Sequence, residues 1–234
     1  MEVNAKEIER YLGYRGVNVI DEHVSSLIED TLREMKEKVS PKYIHKIFPI
    51  EWHPESKASG TATTEYNGTP NVVCSFAGIN VGPGNLVNNL RGCTEIVMMA
   101  VTLGPAPDML VRRYEVRDML KAYVCQAVGA AMAEAWCDEV NDIIVSEIKE
   151  RGLYARPRFS PGYGDFPLLV QKDFESILDM PRTIGVTLSD SLLMTPTKSI
   201  TAVIGISDKD ENCIRAGCEV CNMSETCEYS RSRK

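Results

Sequence analysis

The sequence contains no apolar run near the ~20 residues that a membrane-spanning helix needs. Its longest, Ile96-Val-Met-Met-Ala-Val-Thr-Leu103, has the length of a strand. A targeting signal is also missing: Met1-Glu-Val-Asn-Ala-Lys-Glu7 is charged and has no apolar centre. These absences place the chain in the cytoplasm, away from a membrane. Positive charge is in deficit, with 26 Lys and Arg against 33 Asp and Glu and a net charge of −7. An acidic chain repels phosphate backbones, so nucleic acid is not an expected partner. The one basic cluster is Arg231-Ser-Arg233-Lys234, at the end of the chain. No internal repeat is visible, which excludes solenoids and propellers.

What is present suits a soluble globular protein. Hydrophobic residues make up 44% of the 234 and charged residues 25%, enough apolar material for a core. The length fits one large domain or one domain with a small appendage. We read residues 1–206 as one domain and 207–234 as a polar, cysteine-rich tail. Eight cysteines in a reducing compartment are not a disulfide framework. They are core residues or metal ligands. Cys74, Cys93, Cys125 and Cys137 lie in apolar segments and read as core.

Periodicity outlines the elements. Val24, Leu27, Ile28, Leu32, Met35 and Val39 form one helical stripe over Asp21–Val39, with Asp21 as its cap. Tyr43–Trp52 reads as one or two strands. Residues 55–71 read as a turn or hairpin region, and Val72–Phe76 and Ile79–Val81 as short strands. Glu95–Leu103 is a strand closed by Gly104-Pro105. Helices follow over Asp108–Arg117 and Asp118–Lys149, and the second is rich in alanine. Small residues there allow close packing on a sheet or the approach of a ligand. A loop spans Pro157–Pro167, Gln171–Leu178 is a helix, and Ser191–Met194 and Ser199–Ile206 are strands. Strands mixed with long helices, without a regular βαβ rhythm, predict an α+β fold with a mixed or antiparallel sheet.

Three patterns bear on chemistry. In Arg156-Pro-Arg158-Phe-Ser-Pro161-Gly162-Tyr163-Gly-Asp165, prolines and glycines set a tight turn. Arg158 offers a planar fork suited to a carboxylate, and Tyr163 a ring for a flat or cationic group. A plain surface turn is the alternative. Met132-Ala-Glu134-Ala-Trp136 puts a carboxylate among small residues of the long helix, where it either faces water or meets a cation. Cys213, Cys218, Cys221 and Cys227 place four thiols within fifteen residues, a count that suits zinc or an iron–sulfur cluster. A fourth pattern fails. Asp21-Glu-His23-Val-Ser-Ser26 begins like a cobalamin-ligating Asp-x-His-x-x-Gly, but has serine for the glycine and no later Gly-Gly pair. His23 therefore reads as a first-turn helix residue, and the chain is not expected to bind cobalamin itself.

Taken in order, several of these segments resemble one family. Arg158-Phe-Ser-Pro161-Gly162-Tyr163 is similar to the Arg-x-x-x-Gly-Tyr signature of the activation domain of vitamin B12-dependent methionine synthase. Met132-Ala-Glu134-Ala-Trp136 resembles the Ala-Glu-Ala-aromatic segment on that domain's long helix. Met194-Thr-Pro196-Thr-Lys-Ser199 resembles its Met-x-Pro-x-x-Ser strand entry. Val101-Thr-Leu-Gly104 and the cysteine tail look like the short stand-alone form. The likeness runs over residues 85–230. An Asp-Trp segment that opens the large enzyme's domain has no counterpart near this N-terminus, and a ligand-contacting tyrosine near that domain's C-terminus has none either.

The resemblance implies an S-adenosylmethionine-binding component that reactivates a methionine synthase by reductive methylation of cob(II)alamin. It implies that Arg158 holds the ligand's carboxylate, that Pro161, Gly162 and Tyr163 shape its bed, and that Glu134 sits near its cationic end. The cobalamin would be carried by a partner, either the methionine synthase protein or another corrinoid protein, with a flavodoxin- or ferredoxin-like electron donor. The chain would be a methyltransferase component, incomplete alone. A metal-dependent redox or scaffold protein of a corrinoid system is the rival reading, and a docking module without a small ligand is a third. The cysteine spacing predicts a bound metal. A broad visible absorption band from anaerobically purified protein would mark iron–sulfur, and colourless protein with stoichiometric zinc would mark a structural ion.

Overall fold

The run ending at Leu103 becomes the middle of the fold because it is apolar at consecutive positions. A strand of that pattern has to be covered on both faces. The computed structural model describes residues 1–14, 20–53, 65–66, 69–70 and 73–210. The chain opens with helices α1 (Ala5–Tyr11) and α2 (Glu22–Lys38), then strands β1 (Lys42–Pro49) and β2 (Glu51–Trp52). Short strands follow: β3 (Glu65–Tyr66), β4 (Thr69–Pro70), β5 (Cys74–Phe76) and β6 (Ile79–Val81). Helix α3 (Asn85–Leu90) leads into β7 (Cys93–Thr102), α4 (Ala106–Glu115), α5 (Met119–Glu150) and β8 (Tyr154–Ala155). The remainder is α6 (Gln171–Leu178), α7 (Met180–Thr183), β9 (Thr187–Leu188), β10 (Met194–Thr195) and β11 (Ser199–Ser207).

Strands β1, β7, β11 and β8 form one antiparallel sheet in that order. Side chains alternate along β7. Val97, Met99 and Val101 pack with Ala202, Ile204 and Ile206 of β11 against Cys137, Val140, Ile144 and Ile148 of α5. Ile96, Met98 and Ala100 face the other way, toward Leu86 and Leu90 of α3, Phe174 and Leu178 of α6, and the small sheet β2–β5–β6. Helix α5, about 48 Å long at 1.5 Å per residue, does two jobs. Its later turns cover the sheet, and its earlier turns bury Val124, Cys125, Val128 and Met132 among α1, α2 and α4.

The α+β class and the antiparallel sheet agree with the sequence. So does the cap of α2, where the Asp21 carboxylate accepts a hydrogen bond from the His23 N–H at 2.8 Å. Asp118 caps α5 in the same way through Lys121 N–H, at 3.0 Å. Cys74, Cys93, Cys125 and Cys137 are all buried. The small residues of α5 serve packing: most lie in the core, and the stem of Lys198 passes over Gly129, where a Cβ would come 3.0 Å from its Cε. The expected strand Ser191–Met194 is corrected. Residues 191–193 form a turn with Leu192 at φ 64°, and only Met194–Thr195 pairs, with Thr187–Leu188. Helices α1, α3 and α7 were not anticipated, since each is too short to show a full apolar stripe.

One close approach fixes how the sheet's edge meets α3. Arg156, only 4% exposed, lies over Gly205 of β11 and donates from Nη2 to the Arg91 carbonyl at 2.9 Å. A Cβ on Gly205 would stand 2.7 Å from Cys93 Sγ and 2.9 Å from Leu90 Cδ2. Gly205→Ala is therefore expected to destabilise the fold by about 1–3 kcal/mol through overpacking. A lowered urea midpoint with an unchanged m-value would show it.

Candidate functional site

After β8 the chain keeps to the outer edge of β11. Ala155 pairs with Ile206, and Phe159 forms a bridge to Val203. Four steps on this edge segment thus match three on β11. The extra residue is a β-bulge, and bulges re-aim side chains at sheet edges. Ala155 packs on the α5 face, whereas Phe159 packs on the opposite one. The bulge leaves Arg158 on the α5 side. There its Nη2 stands 3.2 Å from Glu134 Oε2, and its Nη1 bonds the Asp138 carboxylate. Glu134 and Asp138 are four residues apart on α5, so they share one face of the helix.

The turn beyond Arg158 is locked on the other side of the edge. Phe159 exchanges backbone hydrogen bonds with Val203, both 2.8 Å. Its ring meets Tyr163 edge-on at 5.4 Å and Phe166 at 6.4 Å. Pro161 is buried, Gly162 is exposed and Tyr163 is half-buried. Gly162 sits at φ 87°, a conformation that glycine adopts without strain, and its N–H donates to the Phe166 carbonyl at 2.7 Å. At the end of the turn, the Asp165 carboxylate accepts from the N–H groups of Asn85 at 2.9 Å and Leu86 at 3.3 Å. Helix α3 has no side-chain cap of its own, so the turn supplies one.

The structure thus brings Glu134 and Arg158 together at one sheet edge, and Pro161, Gly162 and Tyr163 follow on the same turn. Asp138 and Asp165 were not among the expected residues. Asp138 was findable, being one helical turn from Glu134. Asp165 was not, since α3 lies about 80 positions away in sequence and gives no local signal. Cys213, Cys218, Cys221 and Cys227 lie outside the described residues. Among the described residues, no group of three or more His, Cys, Asp or Glu is placed to hold a metal ion, and no helix is long and apolar enough to cross a membrane.

The Met194-Thr-Pro196-Thr-Lys-Ser199 segment is tied in by its polar groups. The Asp108 carboxylate accepts from Thr197 N–H at 2.8 Å, and Ser199 Oγ donates to Thr102 Oγ1 at 2.8 Å. Lys198 donates to Gln126 Oε1 at 2.8 Å, and burial lowers its pKa. Cys137, between the two carboxylates on α5, is fully buried, and burial pushes its thiol up to about 12. Its enclosure disfavours the thiolate, the reactive form.

Burial also holds the Glu134 carboxyl above its ordinary range; Arg158 opposes the shift and Asp138 adds to it. A carboxyl raised in the folded state binds its proton more tightly there than in the unfolded chain. Stability should therefore rise as pH falls from neutral through the raised pKa, relative to a variant that cannot titrate. Urea unfolding of wild type and Glu134→Gln at pH 7 and at pH 5 measures this. The wild type should gain on the variant at the lower pH.

Comparison with known proteins bears on this geometry. A family model described as "Vitamin B12 dependent methionine synthase, activation domain" matches residues 87–214. No curated protein matches the sequence. Among solved structures, one described as "Crystal Structure of the MetH Reactivation Domain bound to AdoHcy" is similar at a TM-score of 0.63 and 16% identity. The match covers 92% of this chain and 77% of that one. At that identity the likeness is one of fold.

Proposed function

Since the chain belongs to the family of activation domains of vitamin B12-dependent methionine synthase, we propose that it binds S-adenosylmethionine at the Arg158 turn and supports the reactivation of a partner's cobalamin. The observation that carries this reading is the meeting of Arg158 with Glu134 at the sheet edge. Together they present a cation and an anion a few ångströms apart. The methionyl end of S-adenosylmethionine is a zwitterion of matching spacing. Its carboxylate fits the guanidinium fork, and its ammonium fits Glu134. In this reading Pro161, Gly162 and Tyr163, on the turn that follows Arg158, would shape the rest of the ligand's bed. That a fold relative is described as bound to AdoHcy, the demethylated form of this ligand, supports the assignment.

In this reading S-adenosylmethionine supplies an electrophilic sulfonium methyl group for the reduced cobalt of a cobalamin held by a methionine synthase or another corrinoid protein, and a flavodoxin- or ferredoxin-like donor supplies the electron. What this chain contributes is position. Arg158 and Glu134 anchor the amino-acid end, leaving the sulfonium free to point at the partner. The proposal sets the chain in the cytoplasm as a methyltransferase component that acts with that partner. It includes a zinc ion or iron–sulfur cluster on Cys213, Cys218, Cys221 and Cys227.

Calorimetric titration with S-adenosylmethionine tests the site. Arg158→Ala should weaken binding by about ten- to a hundredfold, the ~1.5–3 kcal/mol of hydrogen bonds to a charged group. Arg158→Lys should recover only part of this, because an ammonium lacks the planar fork. Absence of binding by the intact protein would sink the assignment.

A further inference from the structure

The terminal edge of the Arg158 guanidinium is already engaged. Nη2 faces Glu134 at 3.2 Å and Nη1 bonds Asp138. A ligand carboxylate that takes this same Nη1–Nη2 edge bidentately must therefore displace one of the two side chains. Exposure says which. Asp138 keeps 66% of its side-chain surface in water, against 46% for Glu134. An exposed carboxylate leaves an ion pair for water at little cost. Glu134 is the less exposed of the two and the harder to release, because a carboxylate with less access to water loses more when its cation leaves.

From this we infer that Asp138 is a placeholder for the ligand's carboxylate. It holds the Arg158 fork in its binding position while no ligand is present, and it competes with the ligand for the Nη1 corner. The inference rests on the reading of the site given above and deepens it. Asp138 is a positioning residue, since in the bound state it gives up its contact. Two effects follow. The fork is kept extended along α5 instead of searching solvent, a role that an amide oxygen at position 138 retains. The competition subtracts from affinity, and only for ligands that carry a carboxylate. An adenosyl sulfonium without that group does not ask Asp138 to move.

Other features lead less far. The groove lined by Lys38, Ser40, Pro105, Ala106, Met109 and Arg113 has cations at its rim, but nothing in the structure shows what fills it. The His53–Ser75 contact at 2.9 Å ties the residue just after β2 to β5 of the small sheet.

Calorimetry on the intact protein with two ligands, S-adenosylmethionine and its decarboxylated form, tests the placeholder. Asp138→Asn keeps the shape and removes the charge, at an exposed position that the fold tolerates. The expected result is S-adenosylmethionine binding tightened by about two- to fivefold, the range of an exposed ion pair. Binding of the decarboxylated ligand should stay unchanged. Unchanged or weakened S-adenosylmethionine binding in Asp138→Asn overturns the inference while leaving the site assignment intact. Equal tightening of both ligands also overturns it, because it would mean a general charge effect. No S-adenosylmethionine binding by either protein overturns the site assignment, and the inference with it.

Discussion

Strand β7 has to be covered twice, and most of the architecture answers to that need. Its consecutive apolar residues project to both faces of the sheet. Burying one face alone would leave several large side chains in water, at about 25 cal/mol for each Å² of apolar surface. Helix α5 closes one side and α3, α6 and the small sheet close the other. Edge strand β1 is less covered and carries more polar residues. The candidate site residues lie at the β8 edge, which α5 and the turn after Phe159 reach from opposite faces.

Much of this was legible in the sequence. The stripe of α2, the apolar run of β7 and the length of α5 each follow from a local pattern, and Asp21 and Asp118 mark helix starts by the same chemistry that caps them in space. The pairing of Arg158 with Glu134 was legible only as a possibility, because nothing local says that residue 158 will cross to the α5 side. That depends on the bulge between Ala155 and Phe159, which is set by register against β11 some fifty residues later. The strand expected at Ser191–Met194 failed for a related reason. Its apolar residues suggested a strand, but Leu192 takes a positive φ and breaks the extended path. The cap that Asp165 gives to α3 joins residues far apart and has no sequence signature at all.

The charge of an arginine at the sheet edge is met differently at two nearby positions, one buried and one half-buried. Arg156 is enclosed, its stem fitted over a glycine and its fork turned to a backbone carbonyl. Arg158 is held by two carboxylates of which one is mostly in water. The first arrangement leaves no room for a ligand, and the second can exchange one partner for another. Two residues apart on one edge segment, the same side chain is a structural pin and the group proposed to bind the ligand. The difference lies in what the adjacent elements offer it.

The borrowed cap on α3 has a dynamic meaning. A six-residue helix is too short to hold itself, and its first N–H groups are satisfied by Asp165 of the turn. When the turn opens, α3 loses its cap, and when α3 frays, the turn loses its anchor. The two segments therefore form one cooperative opening unit, separate from the long helix and central strands. Any molecule that settles on the turn stabilises α3 by mass action, and through Leu86 and Leu90 that gain reaches the face of β7 remote from α5. Occupancy at the edge would thus be felt as tighter packing on the far side of the sheet, with no movement of α5.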